Sequence, residues 1–202
     1  MIKSKQEKTK ISLRAAVLLV IGALVIEYLL LESPAWASTQ KYLASQAAAD
    51  YRYKNLVFNL ENYSISLDLL EDTQVHITPD KGEELLFNVY FTNDTFSFRG
   101  YIQLWRLEDL EYFLTSSRYL SPFDFISYSM TNLPNAAANG FKTAWSADFG
   151  EHYISGQEFW WPLNSTEHVI RLSFFSDTKE FPEKLLPIIQ HTLDSVKVKS
   201  NS

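Results

Sequence analysis

The sequence predicts an α+β fold: an antiparallel β-sheet flanked by helices, an α/β/α sandwich, preceded by an N-terminal apolar helix. Three observations point there. Segments in the middle and second half of the chain alternate apolar and polar residues with a period of two. Two other segments repeat apolar residues at helical spacing, and a long apolar run follows a basic cluster near the start. With 46% hydrophobic and 15% aromatic residues, the chain has material for one sizeable core, which excludes disorder over most of its length.

The first element is the apolar run. Lys3, Lys5, Lys8, Lys10 and Arg14 precede an uncharged segment at 15–26, which Glu27 interrupts and residues 28–31 extend. Behind Pro34, Ala35 and Ala37 form a small-x-small site, so the segment has the shape of a secretory signal cleaved after Ala37. It also fits an uncleaved anchor, because residues 15–31 as a helix span about 25 Å against a hydrocarbon core of about 30 Å. Both readings leave the basic cluster in the cytoplasm and export residues 38–202. Residues 1–37 are therefore a signal peptide or an N-terminal membrane anchor. The expected location is extracytoplasmic, either secreted or held in the cell membrane.

The formal charge is −6, and it becomes −8 without residues 1–37, which carry five basic and three acidic side chains. Such a body lacks the basic surface that nucleic acid or anionic lipid requires. There is no cysteine, which excludes disulfides, thiolate metal sites, cysteine nucleophiles and lipidated cysteine anchors.

Residues 38–54 are Ala-rich without Gly or Pro and predict a helical linker or stalk, with helix to Tyr53. The domain proper is expected over 55–198. Phe58 and Leu60, then Ile65 and Leu67, begin the strand pattern. Leu85, Phe87, Val89 and Phe91 alternate strictly, "TND" at 92–94 turns the chain, and Phe96, Phe98, Ile102 and Leu104 return it, with Gly100 read as a bulge. Leu107, Leu110, Phe113, Leu114 and Ser117 predict a helix ended by Ser121-Pro122, and 132–140 reads as a loop.

Three further strands follow. Phe141, Thr143, Trp145, Ala147 and Phe149 share a face of the first. Tyr153, Ser155, Gln157, Phe159 and Trp161 share one on the second, and Ile170, Leu172 and Phe174 one on the third. Turns fall at Gly150 and 162–166. A last helix over 183–196 carries the stripe Leu185, Leu186, Ile189, Leu193 and Val196, with Pro187 tolerated in its first turn.

The stretch "HVIRLSFFSDTKEFPEKLLPIIQHTLDSVKV", 168–198, resembles the closing strand and helix of the PsbP-like family. The matching residues are Phe174, Ser176, Phe181, Leu193, Ser195 and Val196, and "NYSISL" at 62–67 is similar to the family's opening strand. Where that strand is usually followed by Pro-x-x-Trp, this chain has "DLLEDTQVHI". The resemblance implies an antiparallel sheet of about seven strands between helices, and a role as an extrinsic binding or assembly subunit. It brings no catalytic residues.

No catalytic constellation stands out. His76, His152, His168 and His191 show no metal-binding spacing, and a hairpin turning at 162–166 sets His168 opposite Trp160. Six glycines form neither a nucleophile elbow nor a phosphate-cradling loop. The acidic groups Glu71-Asp72, Glu83-Glu84 and Glu108/Asp109/Glu111 read as solvated turns and helix faces, and no cofactor or metal is called for.

"EFWWPL" at 158–163 places Trp160 and Trp161 on opposite faces of one strand. Either a two-sided sandwich buries both, or an aromatic platform of Trp145, Trp160 and Trp161 faces a partner. The expected function is an exported, secreted or membrane-anchored, non-enzymatic binding or assembly domain acting on another cell-envelope protein. Alternatives are a small envelope hydrolase, or a carrier of a hydrophobic small molecule with a cavity of roughly 300 Å³ or more between sheet and helices.

Overall fold

Residues 48, 50–78, 82–133, 140–163 and 167–201 are described by the computed structural model. The apolar run at 15–31, the site after Ala37 and most of the 38–54 segment lie outside them. Among the described residues no helix is long and apolar enough to cross a membrane.

Among the described residues, ten strands and two helices of a full turn or more follow one another. They are β1 (Tyr53–Asn59), β2 (Tyr63–Leu70), β3 (Gln74–Ile77), β4 (Leu85–Asn93), β5 (Phe98–Arg106), α1 (Leu110–Leu120), β6 (Asp124–Asn132), β7 (Phe141–Asp148), β8 (Tyr153–Pro162) and β9 (His168–Ser176). A 3-10 turn (Glu183–Leu185) leads into α2 (Leu186–Ser195), and β10 (Lys197–Ser200) closes the chain. The strands form a seven-stranded sheet in the order β3-β4-β5-β9-β8-β7-β6 and a three-stranded sheet in the order β1-β2-β10. All pairings are antiparallel.

This corrects the expected fold class. The described residues are mostly β, arranged in two antiparallel sheets, and do not form an α/β/α sandwich; the expected N-terminal apolar helix lies outside them. One face of the large sheet is closed chiefly by another sheet: Ile65, Leu67 and Leu69 of β2 join Val89, Phe91, Ile102, Leu172 and Phe174 in one core. Phe58 of β1 meets Phe87 of β4 with ring centroids 5.4 Å apart. The C-terminal helix is only 10 residues long, and it packs on β2, adding Ile188 and Ile189 to the same core. Among the described residues too little helix is present to cover that face alone. The expected helix to Tyr53 also yields, since Asp50 is in a turn and Tyr53 opens β1.

The other face carries α1. Asp109 caps it by accepting from the Tyr112 N–H at 2.9 Å, and Ser121 ends it in extended backbone before Pro122. Strand order explains its path. The chain leaves the sheet at β5, in the interior, and re-enters at β6, the far edge. Four strand spacings of about 4.8 Å must be crossed, and 11 helical residues rise about 16 Å, with the flanking loops supplying the rest.

Gly100 is not a bulge. It pairs in register with Phe91 and Phe174, and a Cβ there would stand 1.9 Å from the Ser173 carbonyl oxygen and 2.5 Å from the Phe91 ring. The irregularity on that hairpin falls between Leu85 and Phe87 instead.

Candidate functional site

Antiparallel register sets rows of side chains across the α1 face of the large sheet. One row runs Asn88, Gln103, Arg171, Trp160, Phe141, and the next Tyr90, Tyr101, Ser173, Glu158, Thr143. A third runs Thr92, Arg99, Phe175, Gly156, Trp145, Tyr128. Ser173, Thr143 and Gly156 are small, so the sheet is hollow between flanking aromatic rings. With α1 as one wall the hollow becomes a groove of about 450 Å³, and most of its lining is aromatic.

The helix end of the groove is closed by a triangle of rings. Trp105, Phe113 and Trp160 lie 5.6, 5.8 and 6.2 Å from one another, and Leu110 and Leu114 of α1 join their cluster. The other end is open and lined by Phe123, Phe125, Trp145, Phe149 and Phe175. Trp145 lies 5.5 Å from Phe175 and 5.8 Å from Phe125. Gly156 permits this: a Cβ there would stand 2.7 Å from the Phe175 ring and 2.9 Å from that of Trp145. The two rings lie over bare backbone.

Polar groups on the floor are spent on one another. Glu158, only 8% exposed, sits diagonally from Arg171 and from Trp145, within reach of both. Its Oε1 accepts from the Trp145 indole N–H at 2.7 Å, and its Oε2 from the Trp160 indole at 3.2 Å and from Arg171 Nε at 3.0 Å. Arg171 also donates from Nη1 to Gln103 Oε1 at 2.8 Å, an oxygen that takes the Trp105 indole N–H as well. Gln103 passes the chain on to Asn88 at 2.9 Å. The guanidinium stacks over Trp160, 4.9 Å from the ring centroid. Every buried charge here has a partner, as burial demands.

At the mouth, Arg118 in the last turn of α1 places its guanidinium 4.7 Å over the Tyr128 ring. Burial first and the Glu158 charge second push the Tyr128 hydroxyl above the ordinary phenol range, while Arg118 pulls the other way.

Of the three tryptophans singled out from sequence, the structure brings two together. Trp145 is half-buried and Trp160 is 3% exposed, and both line the groove. Trp161 is on the opposite face, packed against the main core beside Ile170. The sequence reading missed Glu158, Arg171, Gln103 and Arg118. A signal was present, since Glu158 and Arg171 are charges inside strands at the parity of Trp160. It was hidden by register: Trp160 stands opposite Arg171 and not His168, which pairs with Arg106.

The histidines lie elsewhere. His76 and His152 are exposed, His168 Nδ1 is 2.8 Å from the Tyr63 hydroxyl, and His191 stacks on Tyr53 with centroids 3.8 Å apart. Among the described residues no group of three or more His, Cys, Asp or Glu could hold a metal ion. No protein-family model matches the chain, and no curated protein matches it.

Proposed function

We propose that this chain is an extracytoplasmic, non-enzymatic binding domain whose groove beneath α1 holds a small molecule with a flat, apolar body. The observation that carries the reading is the groove: about 450 Å³, walled by aromatic rings, with its floor polar groups already mutually bonded. Small-molecule sites have volumes of roughly 300–1,000 Å³ and this balance of apolar wall and few polar groups. Rings that pack against one another keep their rotamers on binding, so stacking a flat ligand on them costs little entropy. Binding suits the site better than hydrolysis, because no histidine lines it and its one carboxylate already accepts from three donors. The export expected from residues 1–37 supplies the location.

Titration of the full chain with the neutral dye N-phenyl-1-naphthylamine tests this. Binding should raise and blue-shift the dye's emission, and Ser117→Trp, which sets an indole into the groove from an exposed position on α1, should abolish it. No binding, or binding unaffected by Ser117→Trp, would overturn the reading. A second reading, docking of another cell-envelope protein, is favoured by Tyr112 and Tyr119, two turns apart on the outer side of α1 and 72% and 78% exposed.

A further inference from the structure

We infer that the groove's ligand is an amphipathic anion, with its flat body among the rings and its anionic oxygens held at the mouth by Arg118. This rests on the groove being a small-molecule site and adds the sign of the ligand's charge.

Three guanidinium groups and one carboxylate line the groove. Two of the three are matched: Arg99 donates to Asp177 at 2.7 Å, and Arg171 is paired with Glu158 at 3.0 Å. Arg118 is not. Among the described residues no carboxylate lies within ion-pair reach of it, and it rests on the faces of Tyr128 and Tyr119, 4.7 and 5.9 Å from their centroids. Ring faces do not take up hydrogen-bond donors as a carboxylate does, and the planar guanidinium carries a fork of N–H groups that matches two oxygens of one anion.

The lining is therefore positive in excess, on a chain whose formal charge is −6. Glu158 does not repel an anion, since Arg171 neutralises it. A neutral ligand would leave the Arg118 fork to water, and a cationic one would meet Arg118 directly. Charge complementarity selects the anion.

A matched pair of dyes isolates that charge. 8-Anilinonaphthalene-1-sulfonate has the ring system of N-phenyl-1-naphthylamine plus one sulfonate. Both are titrated into the full chain, its cooperative unfolding verified for each variant. The sulfonate should bind about tenfold tighter than the neutral dye, a charge-assisted contact's worth. Arg118→Gln should remove most of that difference without moving the neutral dye, and Arg118→Lys should restore part of it.

Equal affinities for the two dyes, or sulfonate binding unchanged in Arg118→Gln, would overturn the inference. The groove reading would still stand if Ser117→Trp abolished binding of both. If neither dye binds, or Ser117→Trp leaves both bound, the two readings fall together.

Discussion

Glu158→Met is the substitution on which the account of the groove floor depends most. It removes the acceptor of two indole N–H groups and the counter-charge of Arg171 while keeping the length of the side chain. Both partners of the ion pair are largely buried, with side-chain exposures of 17% for Arg171 and 10% for Glu158. Arg171 is left with Gln103 as its one hydrogen-bonded acceptor among the described residues, and the Trp160 indole with none. Removing one member of a buried pair costs about 3–5 kcal/mol, most of it the desolvation of the charge left behind. The Trp145 indole lies at the groove and regains water, which argues for the lower end.

For a domain of this size each kcal/mol moves the melting temperature by about 2–4 °C, so a fall of roughly 6–12 °C is expected. The assay is urea unfolding followed by tryptophan fluorescence, as a double-mutant cycle with Arg171→Met. Replacing both members should recover much of the loss, because two apolar chains leave no orphaned charge. A cost below about 1 kcal/mol for Glu158→Met, or simple additivity in the cycle, would refute the claim that the pair acts as a unit.

Three other expectations follow from particular contacts. Gly100→Ala should prevent folding or destabilise by several kcal/mol, on the order of 3 or more, because its Cβ meets the rigid Ser173 backbone; wild-type circular dichroism and melting would contradict this. Asp109→Ala should cost about 1 kcal/mol through loss of the α1 cap, and should weaken dye binding in the groove because α1 is its wall; calorimetry reads both.

Tyr53 is the third case. Burial, with a smaller contribution from Tyr51, pushes its hydroxyl up to about 12, and that oxygen is buried with no hydrogen-bond partner among the described residues. The folded state therefore holds this proton more tightly than the unfolded chain. Its contribution is fully present below pH about 10 and is lost as pH rises towards 12. Tyr53→Phe should flatten that decline in the urea midpoint and cost nothing at neutral pH; an equal decline in both proteins would contradict it.

The residues show how much was legible. Strands β4, β7, β8 and β9 could be read because Phe87/Val89/Phe91, Phe141/Thr143/Trp145, Gln157/Phe159/Trp161 and Ile170/Leu172/Phe174 alternate strictly, each strand having one face in the main core or under α1. The β6 edge strand escaped notice. Its bulge between Phe125 and Ser127 breaks the alternation, and most of its residues are exposed. β10 escaped because four residues, three of them exposed, carry no period; only pairing with Tyr63–Ser66 of β2 makes them a strand.

Local patterning by itself determined strands β4, β7, β8 and β9, the helix α1, and which of their side chains share a face, because those properties repeat within a few residues. The same composition excluded cysteine chemistry. Tertiary structure alone decided that a second sheet closes the main core, and that Trp145 joins Trp160, and not Trp161, on the α1 face. It also decided that Arg171, Glu158 and Gln103 meet. Gln103 and Arg171 are 68 residues apart, and only the β5–β9 register makes them neighbours. A shift of a few residues in pairing is nearly invisible in the periodicity of either strand, yet it changes every partner across the sheet.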